Sequence, residues 1–209
     1  MTDSKIRIQK ITHRDIKRVV EIHLDAFKGF FLTSLGSRFL TEFYSEVIDD
    51  PTGISLIGLD EQGIYGFAIG TIKPDQFYRR LIIKRSWKFF WAAIPTIVRN
   101  PRILPHLLRG FLLPTEAARP AGWGTLLSIA VATEGQNRGI GHLLITSFLG
   151  EAAQRGLKKI NLLTDKYHND AVNKFYIREG FQLDHDLLTP EGRWMNEYVI
   201  DLPVSKDIS

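Results

Sequence analysis

The sequence contains no cysteine among its 209 residues. This absence excludes disulfide bonds, thiolate metal sites and a cysteine nucleophile, and it is compatible with a reducing compartment. Long apolar runs are also lacking. The uncharged apolar run Phe89 to Val98 is interrupted by Pro95 and is shorter than the roughly 20 residues that cross a bilayer. The first residues lack the basic and then apolar pattern of a signal peptide. We therefore expect a cytoplasmic protein without a transmembrane helix.

The sequence also lacks internal repeats and low-complexity segments. Hydrophobic residues make up 44% and charged residues 24% of the chain, which is typical of an ordinary globular protein and not of a disordered one. A chain of this length can bury one substantial core. We predict a single domain over residues 1–209.

Positive charge is distributed unevenly. Residues 75–114 contain eight Lys or Arg and one acid, Asp75, so this segment carries +7 and leaves −3 for the rest of a chain whose formal charge is +4. The segment is also aromatic and punctuated by proline, and we interpret residues 75–118 as a basic helical insertion. Such a local excess predicts a local anionic partner and not general nucleic-acid binding.

Three interpretations of residues 75–118 remain open. The segment could be a lid over an anionic acceptor substrate. It could instead rest on an acidic membrane surface through its Lys, Arg and interfacial Trp side chains. The third interpretation is an apolar helical pair that packs on the sheet or against a second copy in a homodimer, with its charges solvated.

Hydrophobic periodicity predicts the elements on both sides of this insertion. A short strand precedes Thr12, which with Asp15 resembles a capping box and predicts a helix start. The other predicted elements are a helix ending at Gly29, a helix over about 39–47, a β-hairpin of 54–59 and 64–72, strands at 126–132 and 157–164 around a helix at 141–155, a helix at 170–179, and strands near 181–187 and 193–201. This order predicts a mixed α/β sheet with flanking helices.

A glycine-containing loop joins the predicted strand 126–132 to the helix that follows. It consists of Gln136, Asn137, Arg138, Gly139, Ile140 and Gly141. Unpaired N–H groups and the helix dipole bind anions at a helix N-terminus, and glycine lets the backbone approach phosphate oxygens. The Arg138 side chain could add a charge-assisted bond. We predict a phosphate-binding loop, with a tight turn alone as the alternative.

A dinucleotide-binding unit is a second interpretation of this loop. Its third glycine is replaced here by Leu144, and Lys158 and Lys159 occupy the region where an acid for the ribose is expected. The interpretation is therefore less favoured.

Two motifs in order resemble a known family. The run Leu127-Ser128-Ile129-Ala130-Val131, followed by Gln136-x-Arg138-Gly139-x-Gly141, resembles the coenzyme A signature of the GNAT acetyltransferase superfamily. Asn169 and the segment Phe175-Tyr176-Ile177-Arg178-Glu179-Gly180-Phe181 are similar to the family's later motif. The resemblance implies a mixed, mostly antiparallel sheet with flanking helices. It also implies acetyl-CoA as cosubstrate and a small-molecule amine as acceptor.

The resemblance assigns roles to individual residues. It implies that backbone groups of Ile129 and Val131 bind the pantetheine arm and the thioester carbonyl, and that Asn169 contacts the coenzyme. It implies that Tyr176 is the general acid for the departing thiolate. Alternatively, Asn169 only caps its helix and Tyr176 only packs in the core. We expect no metal site.

The sequence identifies neither the general base nor the acceptor. The candidate bases are Glu21, His23, Asp25, Glu134 and Asp165, and we assign none of them. Residues 29–36 correspond to a region that lines the acceptor site in this superfamily, and a resemblance to relatives encoded with surface-polysaccharide genes makes an amino sugar the leading acceptor. The alternative function is a non-catalytic protein that binds or senses acyl-CoA.

Overall fold

The computed structural model describes residues 5–77, 80, 120–189 and 192–203. Seven strands form one sheet in the order β1-β2-β3-β4-β5-β7-β6. All neighbouring strands are antiparallel except the parallel pair β4 and β5. The strands are β1 (Arg7–Lys10), β2 (Gly53–Leu59), β3 (Ile64–Thr71), β4 (Trp123–Val131), β5 (Lys159–Asp165), β6 (Gln182–Leu188) and β7 (Trp194–Asp201). The predicted mixed, mostly antiparallel sheet is confirmed.

The α-helices with assigned bounds lie on both sides of the sheet, and residues 74–77 are helical as well. Those with assigned bounds are α1 (Ile16–Ala26), α2 (Phe31–Ser34), α3 (Gly36–Asp49), α4 (Ile140–Gln154) and α5 (Asp170–Arg178). A single 3-10 turn at His13–Asp15 precedes α1. The Asp15 carboxylate accepts the backbone N–H of Thr12 at 2.8 Å and its hydroxyl at 2.7 Å, as the capping pattern predicts. The short helix α2 was not predicted.

The helices cover the two faces of the sheet and create two hydrophobic clusters. Helices α1 and α3 pack on one face, where Val19, Leu40 and Phe67 are fully buried. Helix α4 packs on the opposite face, where Leu144 and Phe148 are fully buried. These helices bury apolar side chains against the sheet, which gives the layered arrangement of an α/β fold.

Most of the predicted insertion at 75–118 lies outside the described residues. The lid, membrane and homodimer interpretations concern this segment and therefore stay predictions. Arg80 is described, and its guanidinium donates to both carboxylate oxygens of Asp50 at 2.7 and 2.8 Å and to the Thr52 hydroxyl at 2.8 Å. Arg80 therefore forms an ion pair at the turn between α3 and β2. Among the described residues, no helix is long and apolar enough to span a membrane.

A buried polar pair joins α1 to α3 inside the first cluster. His23 Nδ1 lies 2.6 Å from the Tyr44 hydroxyl, and no described residue offers a hydrogen bond to His23 Nε2. Burial lowers the pKa of His23 to about 4. Burial raises the pKa of Tyr44, and a hydrogen bond with Ser128 on β4 acts in the opposite direction. His23 is therefore neutral at physiological pH.

We predict that His23 makes the fold sensitive to mild acid. Its pKa is lower in the folded chain than the ordinary value of 6.5, so the unfolded chain binds more protons between pH 6.5 and 4. The contribution is fully present above pH 6.5 and is lost as the pH falls towards 4. The loss amounts to about 3 kcal/mol. Urea unfolding at pH 7, 5.5 and 4.5 measures it.

The variant His23→Gln provides the control, because glutamine does not titrate. The carboxylates titrate in both proteins and cancel in the comparison. The free energy of unfolding should fall more steeply with acid in the wild type than in the variant. Parallel pH profiles for the two proteins would contradict the assignment.

Candidate functional site

Strands β4 and β5 separate soon after they meet. Their parallel pairing covers only Trp123 to Thr125 on β4 and Lys159 to Asn161 on β5. Beyond this point β4 continues to Val131 and β5 to Asp165 without pairing to each other. Among the described residues, the edge of β4 that faces β5 therefore has no strand partner over its last six residues. The backbone N–H and C=O groups along such an edge can form hydrogen bonds with an extended ligand.

A β-bulge sets which backbone groups face this opening. The register between β3 and β4 shifts between Ile69 and Gly70, which leaves Leu127 as the extra residue. Beyond it, the Ala132 N–H donates to the Tyr65 carbonyl of β3 at 2.7 Å. Because backbone groups alternate along a strand, those of Ile129 and Val131 point the other way, towards the opening. These are the two predicted pantetheine-binding positions.

The loop that follows β4 turns its backbone into the start of α4. Asn137 and Gly139 both adopt left-handed conformations, with φ of 61° and 72°. Asparagine tolerates this region better than most residues, and glycine does so freely. Gln136, Asn137 and Gly139 are exposed, whereas the Ile140 side chain is buried. The exposed residues can meet a ligand, and Ile140 can contribute only its backbone.

The N-terminus of α4 is free of side-chain caps. Gly139 occupies the N-cap position, and its carbonyl accepts the N–H of Leu143 at 3.1 Å. The N–H groups of residues 140–142 precede this first bond and have no partner within the helix. Together with the dipole of a 15-residue helix, they form an environment that favours an anion.

The Arg138 side chain already has two partners within the protein. Its Nη2 donates to Asp60 Oδ2 at 2.8 Å, in the turn between β2 and β3, and its guanidinium carbon lies 4.6 Å from the centre of the Tyr65 ring. Asp60 was not recognised from the sequence, where it formed part of a hairpin turn. A contact between residues 78 positions apart leaves no local signal.

Helix α5 places its polar side chains against the end of β5. Asn169 occupies the N-cap position but does not cap the helix with its side chain, which donates to the Thr164 hydroxyl at 2.7 Å. Asn173 donates to the carbonyls of Asp165 and Asn169, each at 3.0 Å. Asn196 of β7 donates to Asn173 in turn at 3.0 Å. Asn169 is therefore the N-cap residue by position, but its side chain does not bond the first N–H groups of the helix.

Tyr176 is buried on the same helix. Its ring lies 5.4 to 6.0 Å from the rings of Phe175, Phe181 and Tyr198, and 6% of the residue is exposed. Burial raises the pKa of Tyr176, so its hydroxyl stays protonated at neutral pH. No described residue forms a hydrogen bond with this hydroxyl.

The three predicted parts meet at Gly141. A Cβ at this position would lie 3.4 Å from the Phe175 ring of α5 and 3.9 Å from the Val131 side chain of β4. The loop, the open edge of β4 and the helix that carries Tyr176 therefore adjoin one another.

The model of the Acetyltransferase (GNAT) family matches residues 16–181 of the sequence, which is most of the chain. The chain belongs to the GNAT acetyltransferase family. It is accordingly an N-acetyltransferase that uses acetyl-CoA. No curated protein is similar enough in sequence to serve as a relative.

Solved structures of other GNAT proteins share the fold. Ard1 from Thermoplasma volcanium is 13% identical, with a TM-score of 0.61 over 95% of this chain and 98% of that one. The ribosomal-protein-S18-alanine N-acetyltransferase from Escherichia coli is 13% identical, with a TM-score of 0.60 over 98% and 99%. The PaiA N-acetyltransferase from Thermoplasma acidophilum, in complex with coenzyme A, is 13% identical, with a TM-score of 0.56 over 92% and 98%.

A GNAT enzyme must also remove a proton from its acceptor amine. The candidate bases were Glu21, His23, Asp25, Glu134 and Asp165. Arg18 pairs with both Glu21 and Glu134, Lys28 pairs with Asp25, and Arg193 pairs with Asp165. His23 is buried against Tyr44. None of the five is thus an unpaired, accessible base in the described part of the chain, and we assign no base.

Arg193, which the sequence analysis did not single out, lies at the end of β5. Besides binding Asp165 at the end of β5, its guanidinium stacks on Phe30 at 4.3 Å from the ring centre. It therefore connects the segment between α1 and α2 to the hairpin of β6 and β7. Among the described residues, no cluster of three His, Asp or Glu side chains could hold a metal ion.

We predict that Gly141→Glu abolishes coenzyme A binding. The variant places bulk and negative charge at the first turn of α4, where the phosphates are expected. A carboxylate near a helix N-terminus does not destabilise the helix, so the variant should fold. Isothermal calorimetry with coenzyme A measures the affinity, and circular dichroism checks the fold.

Gly150→Glu is the matched control. It adds the same side chain to the same helix, at an exposed position where a Cβ meets no atom within 4 Å. Its affinity for coenzyme A should equal that of the wild type. A folded Gly141→Glu protein with unchanged affinity would show that the loop is not the binding site.

Proposed function

We propose that this GNAT enzyme transfers the acetyl group of acetyl-CoA to a primary amine by direct attack. The coenzyme lies between β4 and β5, with its pyrophosphate on residues 136–141 and its pantetheine arm on the backbone of Ile129 and Val131. The observation that carries the proposal is the open edge of β4, which ends at an uncapped helix N-terminus. A strand edge next to a helix N-terminus suits an extended ligand that carries a phosphate at one end.

The backbone of β4 orients the acetyl group in this mechanism. Acetyl-CoA supplies an activated acyl group as a thioester. The backbone N–H of Ile129 faces the opening and stabilises the negative charge that develops on the carbonyl oxygen when the amine attacks. Because this donor belongs to a paired strand, it is in place before the reaction begins. Asn169, at the end of β5, contacts the coenzyme on the other side of the opening.

Tyr176 supplies the proton for the leaving group. A C–N bond forms as the C–S bond breaks, the amine loses one proton to solvent, and the departing sulfur takes the hydroxyl proton of Tyr176. A phenol kept protonated by burial serves a charge that appears only when the thiolate leaves. Solvent then returns a proton to Tyr176.

An amino sugar is the acceptor that we propose. The aromatic segment 29–36 motivates this proposal, and Phe30 within it stacks with Arg193 next to the end of β5. Protein amino groups are a second class to test, because the Escherichia coli neighbour is named for an alanine of a ribosomal protein.

A panel of amines tests the transfer reaction and the acceptor class together. The enzyme is incubated with acetyl-CoA and with amino sugars, nucleotide-linked amino sugars, peptides or simple amines. Thiol release and product mass are then measured. We expect one acetyl group on the nitrogen of an amino sugar. Acetylation of peptides alone contradicts the acceptor, and coenzyme binding without turnover on any amine contradicts the transfer reaction.

We predict that Tyr176→Phe lowers kcat and leaves coenzyme affinity nearly unchanged. The lost hydroxyl acts only in the transition state, so kcat should fall by roughly ten- to ten-thousandfold. Steady-state kinetics and calorimetry with coenzyme A separate the two effects.

Tyr198→Phe is the control for this variant, because it removes a hydroxyl from the same buried aromatic cluster. Its kcat should match that of the wild type. If chemistry limits the rate and Tyr176→Phe turns over as fast as the wild type, Tyr176 is not the acid.

A further inference from the structure

The hairpin between β2 and β3 holds the coenzyme loop from outside the site. The Asp60 carboxylate, of which only 1% is exposed, forms an ion pair with Arg138 through Oδ2. Its other oxygen, Oδ1, accepts the backbone N–H of Gln62 at 2.8 Å. The Asp60 N–H donates to the Gly63 carbonyl at 3.0 Å. Asp60 therefore fixes its own turn with one oxygen and Arg138 with the other.

The same hairpin fixes the start of the loop. The Tyr65 carbonyl accepts the N–H of Ala132. A Cβ on Gly135 would lie 2.8 Å from the Tyr65 Cβ, so the two backbones are in close contact. Arg18 donates through Nε to the Ile64 carbonyl at 3.1 Å and through Nη2 to the Glu134 carboxylate. It therefore links the turn at Glu134 to the start of β3. The ion pair of Asp60 and Arg138 supplies a second restraint in the middle of the loop, next to Gly139.

The ion pair also determines what the loop presents to an anion. The guanidinium of Arg138 lies between a buried carboxylate and the face of Tyr65, and both partners favour a cation in this position. Its charge is balanced by Asp60 within the protein. The anion-binding surface of the loop is then composed of backbone N–H groups and the helix dipole.

We propose that Asp60 is a positioning residue for the coenzyme loop, which acts by anchoring Arg138. In this arrangement the Arg138 side chain is not a phosphate ligand, although its backbone remains part of the loop. The inference rests on the proposed coenzyme site at residues 136–141. It assigns a function to the turn between β2 and β3, which has no role in the proposed acetyl transfer.

The variant Asp60→Asn distinguishes the two roles of Arg138 by the sign of its effect. If Arg138 binds phosphate, loss of the Asp60 charge frees the guanidinium, and coenzyme A binds equally well or more tightly. If Arg138 is an anchor, the loop loses its restraint and the affinity falls. We expect a dissociation constant about tenfold higher, the scale of one lost charged hydrogen bond. The kcat at saturating acetyl-CoA should stay near that of the wild type.

A double-mutant cycle with Arg138→Met tests the coupling between the two residues. Both single variants should weaken coenzyme A binding to a similar degree, and the double variant should bind no worse than the weaker single one. The salt dependence of affinity should be unchanged in Arg138→Met, because no side-chain contact to phosphate is lost. Additive losses, or a flatter salt dependence, overturn the proposal.

Asp186→Asn is the matched control, since it removes a carboxylate on β6 that pairs with Lys166, the residue after β5, and not with the loop. Its coenzyme affinity should equal that of the wild type. Asparagine at position 60 keeps an oxygen for the Gln62 N–H, so the turn can persist.

Hydrogen exchange of residues 137–141 in the free protein supplies a measurement that needs no ligand. Exchange should be faster in Asp60→Asn than in the wild type and the control, and equal rates overturn the anchor. If the wild type binds no coenzyme A, the proposed coenzyme site fails, while the exchange rates still test the anchor.

Discussion

The separation of β4 from β5 is the constraint on which the site depends. Parallel strands require a crossover connection, and here the crossover is α4, which follows β4 after a short turn and the loop at 136–139. The pairing therefore leaves an open strand edge and an uncapped helix N-terminus side by side. The bulge at Leu127 then turns the backbone of Ile129 and Val131 towards the opening. One irregular pairing thus creates a linear binding edge and its anion site together.

The protein uses its own charged side chains to hold this opening in shape. Arg193 binds Asp165 at the end of β5, and Arg138 binds Asp60 beside the loop. The Asn173 side chain, on α5, donates a hydrogen bond to the Asp165 carbonyl at the end of β5. Because these side chains are paired within the protein, the coenzyme in the proposed complex meets mostly backbone donors. Backbone donors in a fixed sheet require little reorganisation when charge develops.

The sequence predicted the elements well because their signals are local. Hydrophobic spacing, the Thr12 and Asp15 cap, and glycines at the helix ends located the strands and most of the helices. The loop 136–141 was recognised for the same reason. The partners of its side chains were not predicted, because Asp60 meets Arg138 across 78 positions. Such contacts depend on strand order, which periodicity does not encode.

The environment of a titratable group, more than its residue type, decides its chemical role. Histidine has an ordinary pKa that suits a general base, yet burial lowers the pKa of His23 to about 4 and leaves it neutral between α1 and α3. Tyrosine is a weak acid in water, and burial raises the pKa of Tyr176 further. That shift keeps the proton on Tyr176 until a stronger base is generated beside it. In the proposed mechanism, a departing thiolate becomes such a base only as its bond to carbon breaks, so the buried phenol would act late in the reaction and not before.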